Sequence, residues 1–109
     1  MEEFVPFTLE QSGELCEIRA SGVVNIAGAA DWKQCLLQAL ASGKEILLRL
    51  EMGSEMDVTA LQLLWAAERE ARALARRFTV ARPIPEEVAI TVKNAGFEKF
   101  PIPVDARAQ

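Results

Sequence analysis

The residues best placed to do chemistry form one short run, Glu55-Met56-Asp57-Val58-Thr59-Ala60. A carboxylate followed two positions later by a hydroxyl, just ahead of a long helical apolar pattern, marks a helix N-terminus. There Asp57 accepts N–H bonds from the first turn, and Thr59 stands at the second helical position with its hydroxyl near the helix mouth. A phosphate on that hydroxyl would meet unpaired N–H groups and the positive end of the helix dipole. It would also add about two negative charges to the surface. The same residues have a purely architectural reading, with Asp57 as a cap and Thr59 as a first-turn residue. Met56 also reads two ways, as an exposed soft apolar contact or as a partly buried staple at the helix start.

Other chemistry is largely excluded by composition. The 109 residues contain no His and no Tyr, which removes the commonest general base and metal ligand. Ser/His/Asp and Cys/His sets are therefore impossible, and no Gly-rich phosphate loop is present. Cys16 and Cys35 stand apart without a CxxC spacing and lie in apolar-periodic segments, so they read as buried free thiols. Glu68 and Glu70 fall on different faces of a helix and read as mostly solvated positions. Glu51 and Glu55 are too few for a specific cation site. No metal or cofactor is expected. At a net charge of -4 no basic face for a nucleic acid is evident, which leaves room only for a local patch, and Arg76-Arg77 reads as a helix C-terminal complement to the dipole. No apolar run is long enough to span a membrane. Met1-Glu2-Glu3 does not open a signal peptide, so a cytoplasmic location is expected.

The elements that must position the Thr59 run follow from periodicity. Residues 4–10 alternate loosely and predict a strand, with Pro6 favouring a sheet edge. Gln11-Ser12-Gly13-Glu14 predicts a turn, and 15–20 the return strand of a hairpin. Val23-Val24 resumes a short extended run. Trp32, Leu36, Ala39 and Leu40 recur at helical spacing over 28–41, widened by Leu37, and Ser42-Gly43 stops that helix. The run 45–50 is short, apolar and bounded by helices, which predicts a central parallel strand.

After a loop at Gly53-Ser54-Glu55-Met56, a long helix is expected over 58–75. Its buried stripe is Leu61, Leu64, Ala67, Ala71 and Leu74, flanked by Ala60 and Trp65, and both Trp32 and Trp65 read as core residues rather than binding hot spots. A strand at 78–81, a helix opened by Pro85-Glu86-Glu87 and stopped by Gly96, and anchors at Phe97, Phe100 and Ile102 complete the order. The expectation is one α/β domain over 1–109. It has a mixed sheet of four to five strands, helices mainly on one face, a core over about 4–102 and a frayed tail over 103–109. In such a sheet, the region after a central strand is the usual functional rim.

The ordered set of pieces resembles the STAS domain, the fold of bacterial anti-sigma-factor antagonists. The resemblance runs from about Val5 to Ile102. It rests on the opening hairpin, the Gly22-Val23-Val24-Asn25-Ile26 segment, the 46–50 strand and the Gly96-Phe97 and Phe100 ending. Its key piece is the family's Asp-Ser-Ser-Gly-Leu, here Asp57-Val58-Thr59-Ala60-Leu61. Val58 replaces the first Ser, Ala60 replaces Gly, and Arg49-Leu50 stands where the family often has Asp-Leu.

The resemblance implies a non-enzymatic interaction module whose Thr59 is phosphorylated by an anti-sigma-factor or serine-kinase-like partner. It implies a docking rim of Gly53, Ser54, Glu55, Met56, Asp57, Val58 and Ala60, with Asn25 and Gly28 alongside. The alternative it implies is a small soluble STAS subunit that binds the ATPase of a lipid-type ABC transporter. Neither reading involves nucleic acid, cofactor or membrane insertion.

Overall fold

The computed structural model describes residues 7–24 and 26–105. The expectations for Phe4, Val5, Pro6 and 106–109 lie outside the described residues. Strand β1 (Phe7–Ser12) turns back into β2 (Leu15–Ala20), and the two pair antiparallel with Ser12 opposite Leu15. Gln11 and Ser12 therefore continue the strand, because cross-strand pairing overrides their turn preference. The turn is Gly13-Glu14 alone, and Gly13 at φ 58° takes the left-handed conformation that so tight a hairpin requires.

Strand β3 (Val23–Val24) follows, then a single 3₁₀ turn over Ile26–Gly28 and helix α1 (Ala29–Ala41). Strand β4 (Glu45–Leu50), the two-residue β5 (Glu55–Met56), helix α2 (Val58–Ala73), strand β6 (Phe78–Val80) and helix α3 (Glu86–Asn94) complete the order. The main sheet runs β1-β2-β4-β6, with β2, β4 and β6 parallel. β3 and β5 form a separate parallel ladder. Residues 55 and 56, expected in a loop, are this ladder's second strand.

Register decides which face is buried. Ile18, Leu48 and Val80 are aligned across three strands, as are Cys16, Ile46 and Phe78. All six are essentially inaccessible. They share one core with Trp32, Leu36 and Ala39 of α1, Leu61 and Leu64 of α2, and Val88 of α3. Each fully buried aliphatic side chain contributes about 1.5–3 kcal/mol. The opposite face carries Glu17, which pairs with Arg19 beside it and with Arg49 across on β4. A one-residue slip of β2 would bring these charges into the core, so alternation and ion pairs fix the same register.

Several expected core positions lie at the surface. Leu37, Trp65 and Leu74 are each close to half exposed. The buried arc of α2 is set by Ala60, Leu61, Leu64, Ala67 and Ala71, and its flank is closed by Glu68. Trp65 lies beyond that arc, with the Arg69 guanidinium 4.9 Å from its ring centroid. Glu68, expected to be solvated, is 5% exposed and ion-paired to Arg72 one turn on. The tail does not fray at 103. Val104 bridges to Val80 in parallel, the Val80 N–H donates to the Pro103 carbonyl (2.9 Å), and the Asp105 N–H donates to the Val80 carbonyl (2.8 Å). The tail thus acts as a minimal fifth strand on the outer edge of β6.

Helices α1 and α2 each close with a left-handed residue. Gly43 (φ 76°) does so after α1, where a Cβ would meet the Arg76 guanidinium at 2.9 Å. After α2 the position falls to Ala75 (φ 59°), where the Arg76 N–H returns to the Ala71 carbonyl (2.8 Å). The helix expected to reach residue 75 therefore ends at Ala73. An L-residue there is strained by about 1–2 kcal/mol, partly offset by glycine's greater chain entropy. Ala75→Gly is expected to stabilise the protein by up to about 1 kcal/mol, read as a rise in the urea midpoint at constant m.

Cys16 and Cys35 are free and buried, as the periodicity predicts. Burial pushes both thiols up from their ordinary 9.0, Cys35 to about 11 with a smaller contribution from Cys16. The unfolded chain ionises first. The thiol contribution to stability is thus complete below about pH 9 and declines as pH rises to about 11. At pH 8, iodoacetamide should leave both thiols unlabelled in the native protein and label both in urea, as measured by intact mass.

Candidate functional site

The rim around Thr59 is built from the β3–β5 ladder upward. The Glu55 N–H donates to the Gly22 carbonyl (2.9 Å) and the Asp57 N–H to the Val24 carbonyl (3.0 Å), which fixes where α2 begins. Asp57 is extended (φ -88°, ψ 178°) and its Oδ1 accepts from the Ala60 N–H at 2.9 Å, so it is the N-cap that the sequence predicts. The Ala60 carbonyl in turn accepts from the Trp32 indole Nε1–H of α1 at 3.1 Å. Beneath the loop, the buried Ser54 hydroxyl lies within hydrogen-bond distance of the Ala20 and Glu51 carbonyls, at 3.1 Å from the former. The first turn of α2 is thus held from three sides.

These ties sort the expected rim residues. Gly53, Glu55 and Val58 are exposed, and Gly28, Asp57 and Thr59 are half-buried. Ser54, Met56 and Ala60 are buried, at 1%, 2% and 1% exposure. They support the rim from below and offer it no surface, so Met56 takes the buried of its two expected roles. Asn25 lies outside the described residues. Two exposed apolar residues join the rim that the spacing did not single out. Met52, the most exposed large hydrophobic described, sits at the tip of the 51–54 loop, and Val23 lies on β3 beside Glu55.

Ala60 is held by the Asp57 carboxylate on its N–H and the Trp32 indole on its carbonyl, and its side chain is buried. Glu51 and Glu55 are exposed carboxylates. Among the described residues, no group of three or more Cys, Asp or Glu is placed to hold a metal ion. No helix among them is long and apolar enough to cross a membrane. Chemically, the rim carries half-buried Thr59 in the first turn of α2, near in sequence to the acids Glu55 and Asp57 and to exposed Val58.

A family model described as "Mlab, STAS domain" matches residues 7–103. The chain belongs to the STAS family. Its fold also matches solved structures of that shape. One is the anti-sigma factor antagonist SpoIIAA in its unphosphorylated form, with a TM-score of 0.63, 24% identity and coverage of 92% of this chain and 88% of the other. Another is a Thermotoga maritima protein assigned as an anti-sigma factor antagonist, with a TM-score of 0.69, 17% identity and coverage of 92% and 86%. The Bacillus cell fate determinant SpoIIAA in its phosphorylated form matches with a TM-score of 0.59, 18% identity and 86% of both chains. No curated protein matches the STAS chain significantly in sequence. At these identities the structures establish the fold, and the mixed four-stranded sheet with three helices agrees with it.

The sequence placed Asp57 and Thr59 correctly on the helix start of this STAS domain but missed what clamps them. A two-residue ladder such as β3–β5 leaves almost no periodic signal. Trp32 was legible as core, whereas the destination of its N–H was not. Replacing the cap should expose the arrangement: Asp57→Ala is expected to cost about 1 kcal/mol, lowering the urea midpoint, while Asp57→Asn retains most of that stability.

Proposed function

We propose that this STAS domain is a non-enzymatic, cytoplasmic protein-interaction module. It docks a partner on the rim of Gly53, Glu55, Asp57, Val58 and Thr59, and phosphorylation of Thr59 by a serine-kinase-like partner of the anti-sigma type switches it. The observation that carries this reading is the half-buried Thr59 hydroxyl at the mouth of a helix whose first turn is immobilised by Asp57, Val24 and Trp32. A rim so fixed docks with little ordering cost. A phosphate there adds about two charges beside Asp57 and Glu55. The helix mouth partly stabilises it, but bringing it into a dry interface is opposed by desolvation and like-charge repulsion. Binding and release then follow the state of one hydroxyl. Nucleic acid has no part in this reading.

A second reading uses the same rim without the switch, docking it on the ATPase of a lipid-type ABC transporter. It is favoured by Val58, which puts an exposed apolar group where the family's motif has a hydroxyl. One series of variants separates the two. With the kinase-like partner on a biosensor surface, Thr59→Ala should bind as wild type does, and Thr59→Asp should bind at least about a hundredfold more weakly, the loss expected for a charge desolvated without a partner. Equal affinity of all three forms would remove the switch and leave the docking role.

A further inference from the structure

A groove of about 650 Å³ runs between the C-terminal end of α2 and the 99–104 segment. Its apolar surface comes from Phe100, Pro101, Pro103 and Val104, over a floor of buried Phe78 and Ile102. Arg72, Arg76, Arg77 and Lys99 stand around it. The one carboxylate in its lining, Glu68, is buried and already ion-paired to Arg72. In a chain of net charge -4 this is a local reversal of sign. On its other side, Phe100 and Lys99 also line a second hollow of about 540 Å³ with Phe97 and Lys93, whose single acid is the exposed Glu98. The groove lies some thirteen residues along α2 from Thr59, about 20 Å at helical rise.

We infer that this groove is a second docking surface, separate from the Thr59 rim, that takes an extended acidic peptide segment bearing apolar side chains. The apolar lining accepts one or two such side chains, and Arg76, Arg77 and Lys99 pair with flanking carboxylates. Arg72 keeps Glu68 neutralised, so the partner's acids meet no unpaired acid in the lining. Net charge decides between a peptide and an anionic membrane. A bilayer spreads beyond the groove and meets more of a chain whose net charge is -4, whereas a short peptide in the groove feels chiefly the rim within a Debye length of about 8–10 Å. The peptide is the favoured occupant. This inference does not depend on phosphorylation at Thr59.

The test uses the full chain and a fluorescein-labelled synthetic peptide of alternating Glu and Leu, read by anisotropy. Binding is expected, should weaken as salt is raised, and should be lost when Gln replaces Glu in the peptide. Arg77→Glu combined with Lys99→Glu changes two exposed side chains and leaves the Glu68–Arg72 pair intact. It should leave the thermal melt unchanged and weaken binding about tenfold or more. Thr59→Asp should bind the peptide as wild type does, so failure of the switch and failure of the groove are distinguishable. The inference is overturned if the Gln peptide binds equally well, if the double variant binds as wild type does, or if the chain sediments with vesicles of equal phosphatidylglycerol and phosphatidylcholine while ignoring the peptide.

Discussion

A fully buried indole must find an acceptor for its N–H, and in this fold that requirement falls on Trp32. Its acceptor is the Ala60 carbonyl, on the first turn of the helix that carries Thr59. The ring also lies 5.4 Å from Phe7 at the start of β1, in a tilted aromatic pair. One side chain therefore joins the edge of the sheet, the first helix and the mouth of the second. Removing only the N–H would leave packing intact but release the first turn of α2 from α1. The position of the Thr59 rim is thus a consequence of core packing, and loop sequence alone does not set it.

The two faces of the sheet solve different problems. One is apolar and covered by helices, and carries Ile18, Ile46, Leu48 and Val80 into the core. The other is held by Glu17 between two arginines, a cross-strand arrangement that keeps water and charge on that side. The edges are managed separately. β1 is an outer strand carrying exposed Glu10, and β6 is partly covered by the bridge to Val104. Across this edge the Thr79 hydroxyl donates to the buried Asp105 carboxylate at 3.5 Å.

What the sequence revealed and what it hid divide along physical lines. The hairpin, the central strand at 45–50 and the capped helix at 58 carry strong local signals: alternation, an apolar run between stops, and an acid before a periodic stripe. These were readable, and so was the family resemblance built on them. Trp65, Leu37 and Leu74 were misplaced because hydrophobicity alone does not say which side of a wide stripe faces inward, and Arg69 over Trp65 reduces what its exposure costs. Glu68 was misplaced for the converse reason, since its burial depends on Arg72 lying one turn away. The β3–β5 ladder and the Val80–Val104 bridge are non-local and almost without length, so nothing in the local pattern announces them.

The parallel placement of β4 between β2 and β6 also bears on how fast the domain assembles. The β1–β2 hairpin joins neighbours in the chain and can close in microseconds. Each pairing of β4 instead waits on a crossover through a whole helix, and the loop entropy must be met before any ladder bond forms. The middle of the sheet is therefore its slowest part to complete, on the order of milliseconds or longer. Until β6 arrives, the apolar edge of β4 is open to any passing strand, and the interval during which the chain is most exposed to aggregation ends when Val80 meets Leu48.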